Sequence, residues 1–260
     1  AAEQGFAEAQ SNLGLMYDRG EGVPEDDTKA VKWFRLAAEQ GDASAKFNLG
    51  NMYYRGEGVP KDTFEAVRLY QMAADQGLAS AQSNLGHRFA KGEGVPENDT
   101  EALKWFRLAA DQGLAVAQFN LGLMYVNGEG VNKSTSEATK WIRLAAEQGQ
   151  VDAQYTLGQL YRSGDGIPRN PIEAIKWYRM AAAQGDAAAQ NNLGIMYALG
   201  EGVPQNNVKA YSWLSMAVQL GHPGSPGAKD VVGLLMTRDQ ITEAQALSQH
   251  CFKNKFKDCD

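Results

Sequence analysis

Apolar residues along this chain fall into two alternating helical patterns. In residues 7–19, AEAQSNLGLMYDR, the positions Ala9, Leu13, Met16 and Tyr17 follow the i, i+4, i+7, i+8 stripe of an amphipathic helix. In residues 27–40, DTKAVKWFRLAAEQ, a second stripe runs through Ala30, Trp33, Phe34 and Ala37. Gly20-Glu21-Gly22-Val23-Pro24 separates the two, and Gly41 closes the second. Glycine in the left-handed conformation ends a helix, and proline resists continuing one. The pattern therefore predicts a helix A from about Ala7 to Arg19, a glycine-proline loop, a helix B from about Asp27 to Gln40, and a short turn.

This unit recurs at a fixed period of 36 residues. Its mid-helix glycines are Gly14, Gly50, Gly86, Gly122, Gly158 and Gly194. A constant period in this range marks a repeat array in which each unit packs on its neighbours. The helix B N-cap positions are Asp26, Asp62, Asn98, Ser134, Asn170 and Asn206, all favoured cap residues. Glu65, Glu101, Glu137 and Glu173 lie three residues later and give a capping-box pattern in those repeats. All five tryptophans share one register, Trp33, Trp105, Trp141, Trp177 and Trp213, with Leu69 replacing the sixth. A glycine in mid-helix costs about 1 kcal/mol against alanine. Its recurrence predicts an approach too close for a side chain. The expected fold is an all-α solenoid of six helix–loop–helix repeats over residues 1–221. Residues 1–5 read as the tail of a repeat that begins before residue 1, so a longer protein is expected. Residues 222–260 are expected to form a polar C-terminal cap, with turn chemistry at 222–227, a degenerate helix at 229–236, and a helix opened by the Thr237/Gln240 capping box.

Positions that stay constant between repeats hold the array together; positions that vary along one helix face are free for recognition. Three such positions run along helix A at i, i+4 and i+7. The first is Ser11, Phe47, Ser83, Phe119, Tyr155, Asn191; the second is Leu15, Asn51, His87, Leu123, Gln159, Ile195; the third is Asp18, Tyr54, Ala90, Val126, Arg162, Ala198. The candidate partner-binding set is Phe47, Asn51, Tyr54, His87, Phe119, Leu123, Val126, Tyr155, Gln159 and Arg162. Serine alternating with phenylalanine argues against burial, although filling of the inter-repeat core is the competing reading. Asn12, Asn48, Asn84, Asn120 and Asn192 recur beside the Leu-Gly pair, and a hydrogen bond between repeats explains them better than a ligand contact.

A net charge of −6 disfavours nucleic acid and anionic membrane as partners, since both require a basic surface. No run has the length of a membrane span. The glycine loops follow a helix rather than a strand and lack a P-loop lysine, so no nucleotide site is expected. His87, His222 and His250 lie in separate repeats, and no Cys/His set has zinc-site spacing. No nucleophile motif of the Gly-x-Ser-x-Gly or Ser-x-x-Lys kind occurs. No catalytic residue, cofactor or metal is expected, and the chain is expected to be a monomer. Cys251 and Cys259 are the only cysteines. On one continuous helix they would stand roughly 12 Å apart, whereas a disulfide needs Cα atoms about 4.4–6.8 Å apart. Either the thiols are unbridged, or the helix ends near Lys253–Lys255, with Asn254 a fair stop residue, and the chain turns back.

The motifs A-x-A-Q-x-N-L-G-x-M-Y, G-E-G-V-P and A-x-K-W-F-R-x-A-A-x-Q-G resemble the Sel1-like repeat family, a relative of the tetratricopeptide repeat. The resemblance covers residues 1–221. It implies an α/α solenoid that acts as a protein–protein adaptor, with helix A lining a concave groove for a peptide or protein. The tail from Gln240 is similar to the C-terminal end of many bacterial members that carry the same cysteine pair, which implies a Cys251–Cys259 disulfide and a periplasmic or secreted location. Asn132 for the loop proline, Leu69 for tryptophan and Val151 for alanine depart from the pattern. Cysteine-rich relatives have been linked to β-lactam binding or hydrolysis. The chain lacks their cysteines, which argues against that activity; a weak hydrolase or binder of cell-wall or β-lactam compounds stands as the alternative, beside a structural spacer in a larger assembly.

Overall fold

The computed structural model describes residues 2–256 and Cys259. Among the described residues a 3-10 turn at Ala2–Gln4 precedes fourteen α-helices: α1 (Ala7–Arg19), α2 (Asp27–Glu39), α3 (Ala43–Arg55), α4 (Thr63–Ala74), α5 (Ala79–Lys91), α6 (Asp99–Asp111), α7 (Ala115–Asn127), α8 (Thr135–Glu147), α9 (Val151–Ser163), α10 (Pro171–Ala182), α11 (Ala187–Leu199), α12 (Asn207–Gln219), α13 (Ser225–Gly233) and α14 (Arg238–Lys253). The odd-numbered helices through α11 are helix A of successive repeats, and the even-numbered ones through α12 are helix B. The helices gather into two compact units, one reaching to Lys133 and the other starting at Ser134. Within each unit, successive helices pack on one another as far as α13, and α14 packs back on α12.

The mid-helix glycines have the reason that their recurrence predicts. Helix B of the same repeat lays a ring flat against Gly14, Gly50, Gly86 and Gly158, and Leu214 against Gly194: a Cβ on Gly14 would stand 2.7 Å from the Phe34 ring, and one on Gly158 would stand 2.7 Å from the Tyr178 ring. Phe34, Tyr70, Phe106 and Tyr178 are buried in these seats. Trp105, Trp141, Trp177 and Trp213 are buried beside them, while Trp33 in the first repeat is only partly covered.

Two polar ladders join one repeat to the next. The glutamine of the A-x-A-Q motif is buried at Gln10, Gln82, Gln118, Gln154 and Gln190. Gln154 Nε2 donates to the carbonyl of Ala146 at 3.1 Å, in the last turn of the preceding helix B, and Gln82 does the same to Ala74 at 3.2 Å. Each of these carbonyls also accepts from the turn after its helix, from the Gly149 N–H at 3.0 Å and the Gly77 N–H at 2.9 Å, so the glutamine adds a second donor to an oxygen with two lone pairs. Gln184 Nε2 in turn donates to Gln154 Oε1 at 2.9 Å. The second ladder runs from an arginine on helix B to the tyrosine of the next helix A, as in Arg35 to Tyr53 at 3.1 Å and Arg179 to Tyr197 at 2.6 Å. Lys46 interrupts the glutamine series; its buried ammonium donates to the carbonyl of Gly41 at 3.1 Å.

All six helix B caps accept from the N3 backbone N–H. The capping boxes expected at four of them are only half formed, because each N3 glutamate turns toward a cation one turn on. Glu65 pairs with Arg68 at 2.6 Å, Glu101 with Lys104 at 3.4 Å, Glu137 with Lys140 at 4.0 Å and Glu173 with Lys176 at 3.7 Å. An ion pair at i, i+3 competes with the short reach back to the cap N–H. The reciprocal box does form at Thr237/Gln240.

The C-terminal segment differs from expectation in three ways. The stretch expected as turn is helical from Ser225, with Pro226 in the first turn where proline fits. The Ser225 hydroxyl donates to Asn191 Oδ1 of α11 at 2.8 Å, a tertiary bond that fixes where α13 begins. The cap is not polar throughout, since Val231, Leu234 and Leu235 are exposed. The expected stop of α14 is present, but the left-handed residues are Lys255 and Phe256, at φ 50° and 61°, rather than Asn254.

Gly158→Ala is expected to lower stability by about 1–3 kcal/mol, through overpacking against Tyr178. Alanine at a mid-helix position with room for a methyl would instead gain about 1 kcal/mol. Urea unfolding followed by circular dichroism decides the sign.

Candidate functional site on the helix A face

The first of the three varying positions sits at the lip between core and solvent. Ser11, Ser83 and Asn191 are buried there, whereas Phe47, Phe119 and Tyr155 are half-buried. Alternation of serine with an aromatic thus does not signal free exposure: a small side chain is covered at this lip and a ring overhangs it. Phe47 lies against Tyr70 with ring centroids 5.8 Å apart, and Tyr155 lies against Tyr178 at 5.9 Å.

The second position carries the junction between repeats. In the first unit, Asn51 Oδ1 accepts from the Tyr70 hydroxyl at 2.8 Å and from Asn84 Nδ2 of the next helix A at 3.4 Å. Burial pushes the Tyr70 phenol up to about 12, so it stays protonated and donates. One repeat later His87 takes the place of Asn51, and its Nε2 lies 3.0 Å from Asn120 Nδ2. With its proton on Nδ1, the imidazole accepts that bond. Asn84 and Asn120 therefore bond between repeats, as the structural reading of these asparagines requires. His87 also meets the Phe106 ring edge-on at 5.1 Å. In the second unit, Gln159 is exposed and donates to the Tyr155 hydroxyl at 2.9 Å. Burial raises the Tyr178 phenol as it does Tyr70.

The third position meets the loop glutamate of the following repeat. The Tyr54 hydroxyl donates to Glu93 Oε2 at 3.0 Å, with the Arg88 guanidinium over its ring at 4.2 Å. Arg162 Nε donates to Glu201 Oε2 at 3.0 Å. Sequence reasoning gave these glutamates no partner, because an acidic residue that recurs with the loop reads as structural or solvated. Their spacing of 39 residues from the helix A position carries the signal, though only with the packing in hand. Val126 is exposed, and Leu123 is half-buried.

Two pockets open on this face. In the first unit a pocket of about 400 Å³ is lined by His87, Ala90 and Leu123 together with Phe106, Asn120 and Glu129. In the second unit one of about 380 Å³ is lined by Tyr155, Gln159 and Arg162 with Tyr178, Asn192 and Glu201. Five of the ten candidate residues thus line a pocket: His87 and Leu123 in one unit, Tyr155, Gln159 and Arg162 in the other. Among the described residues no group of three or more His, Cys, Asp or Glu is placed to hold a metal ion, and no helix is long and apolar enough to cross a membrane.

The Sel1 repeat family model matches six consecutive segments, at residues 7–42, 43–78, 79–114, 115–150, 151–186 and 187–222. The chain belongs to the Sel1 repeat family. Each matched segment starts at the first residue of a helix A, so the family unit coincides with the repeat built above. A solved Sel1 repeat protein from Oxalobacter formigenes is 39% identical, over 82% of this chain and 86% of its own, with a TM-score of 0.74. The protective antigen c5321 of uropathogenic Escherichia coli strains, which displays an SLR fold, is 26% identical, over 100% of this chain and 79% of its own, with a TM-score of 0.51. The immunity protein Pa5087 from Pseudomonas aeruginosa shares the fold at 22% identity, over 82% of this chain and 81% of its own, with a TM-score of 0.50. No curated protein matches the chain. Sel1 repeats serve generally as protein-interaction scaffolds, and the scaffold class is the functional assignment that this membership carries.

His87 gives this Sel1 repeat array a pH-sensitive junction. Burial lowers its pKa from the ordinary value of 6.5, and the Arg88 and Lys91 charges lower it further, against a smaller opposing effect of Glu93. The unfolded chain therefore takes up this proton at a higher pH than the folded one does. His87 contributes no loss above its ordinary pKa and a growing loss as pH falls through that value toward the lowered one. Stability between about pH 7 and pH 5 is expected to fall less steeply in His87→Asn, which restores the amide pair seen at Asn51–Asn84. Urea midpoints of both proteins across that range check it.

Proposed function

We propose that this chain is a non-enzymatic adaptor that binds a peptide or protein loop along the helix A face, each unit supplying its own stretch of the docking surface. One observation carries the reading: both pockets on this face are lined at positions that vary from repeat to repeat, amid a framework that is otherwise constant. Concave, largely pre-formed sites with a few converging polar groups are where ligands bind. Phe47, Phe119 and Tyr155 contribute the exposed edges of half-buried rings, and aromatic groups of this kind dominate interface energies. No cofactor is required for such a role, and the partner is a protein rather than nucleic acid. The chain acts as a monomer in this reading.

The location that accompanies this role is the periplasm or the cell exterior. Cys251 and Cys259 are both buried in one core cluster with Cys251 on α14, and Lys255 and Phe256, just after that helix, are left-handed. We infer that they are bridged, which oxidising compartments favour. Protein purified without reductant is expected to resist thiol alkylation after denaturation and to take up two alkyl groups once reduced. Alkylation of both without reductant would remove the bridge.

A photo-crosslinking residue placed at Val126 or Gln159 is expected to trap the same partner from an extract of the source cells. The same residue at Leu108 or Leu144, exposed on helix B, is expected to trap none. Adducts from the helix B positions alone would move the docking surface off helix A.

A further inference from the structure

The third varying position of helix A and the loop glutamate 39 residues later form a recurring couple, and the protein fills it in different ways. At one junction Tyr54 reaches Glu93. At another Arg162 reaches Glu201 through its Nε, and Arg169 adds a second contact to the other carboxylate oxygen at 2.5 Å. The same register between them holds Ala90 and Glu129. A methyl group cannot span that gap. The Glu129 carboxylate instead accepts from Asn127 Nδ2 at 3.0 Å. Arg162 and Glu201 line the pocket of about 380 Å³ at the later junction, and Ala90 and Glu129 line the one of about 400 Å³ here.

The lining of this pocket is amphipathic in a specific sense. Leu123 and Ala90 supply apolar surface over the buried Phe106 ring, and the lining includes three acidic residues, Glu97, Asp99 and Glu129, against the single basic residue Lys91. Among the described residues these carboxylates do not converge into a group able to hold a metal ion. The cation that suits such a cleft carries its charge at the end of an apolar stem.

We propose that this pocket receives an arginine or lysine side chain of the bound partner. Its stem lies over Leu123 and Ala90, and its charged head pairs with Glu129, as Arg162 pairs with Glu201 within the chain itself. The inference rests on the docking role of the helix A face and adds the chemistry of the partner: a peptide segment with a basic residue. The net charge of −6 favours the approach of such a segment, and the pocket confers the selection.

The internal repeat supplies the variant that tests it. Ala90→Arg installs, in the same register, the residue that the chain already carries at Arg162, and so it offers Glu129 an internal cation. Glu129→Gln removes the charge. Gln245→Arg adds the same charge as Ala90→Arg at an exposed site on α14 away from the pocket. The probe is a library of capped decapeptides, each pool with one residue fixed and the others random. It is passed over immobilised full chain at about 150 mM salt, where interactions between exposed charges beyond about 8 Å are screened. Wild type and Gln245→Arg are expected to retain pools fixed at Arg or Lys about ten-fold better than pools fixed at Glu. That preference should fall below about two-fold in Ala90→Arg and in Glu129→Gln, with helicity unchanged by circular dichroism. Retention of peptides by wild type without a basic preference would overturn the inference and leave the docking role standing. A basic preference that survives in both pocket variants, or that Gln245→Arg abolishes equally, would assign it to overall charge and overturn the inference too. Failure of wild type to retain any pool above a denatured control would overturn the docking role and this inference together.

Discussion

The contact between the helix A glycine and the flat side chain of helix B governs the rest of this protein. Without a Cβ at Gly14 or Gly158, the two helices of a repeat approach until a phenylalanine or tyrosine ring lies on bare backbone. That approach buries the largest side chains of the repeat and sets where the next helix A must sit. Interiors are close-packed, so one methyl group at this point has nowhere to go. The glutamine and arginine–tyrosine ladders depend on the spacing that this contact enforces, since a hydrogen bond tolerates only a few tenths of an ångström of drift.

Once that framework is fixed, the chain can vary the rest. The second and third positions of helix A show how variation is contained. Asn51 and His87 differ in size and chemistry, yet each accepts from an asparagine of the following repeat. Tyr54 and Arg162 differ as much, yet both bond to the glutamate of the following loop. The junction stays satisfied while its outer surface changes, so one backbone can present a tyrosine at one place and an open acidic pocket at another. This separation of a constant inner contact from a changeable outer one is what lets a repeat array acquire a binding specificity without losing stability.

Much of the fold was legible from periodicity. The bounds of α1 and α2, the six caps and the terminating glycines follow from local rules that need only neighbouring residues. Less of the candidate site was legible. Varying positions were identifiable, but the depth of each was not: Ser11, Ser83 and Asn191 prove buried, and Phe47 and Tyr155 rest on rings of helix B. Burial depends on what packs from the other helix, and a helical wheel carries no such information. The buried glutamines were passed over for the same reason, since a polar residue on an amphipathic stripe reads as solvated until its carbonyl partner is in view.

From sequence alone, the strict 36-residue period determined an all-α repeat array and the Sel1 relationship, because six repetitions of the same helix and loop signals leave little conformational choice. Tertiary structure decided which glutamates meet a helix A side chain, that N3 glutamates turn to Arg68 or Lys104 rather than to their caps, and that α13 starts at Ser225. Each of these is a competition between a local partner and a distant one of similar strength. Such contests turn on distances of an ångström or less, and only the packed chain sets those distances.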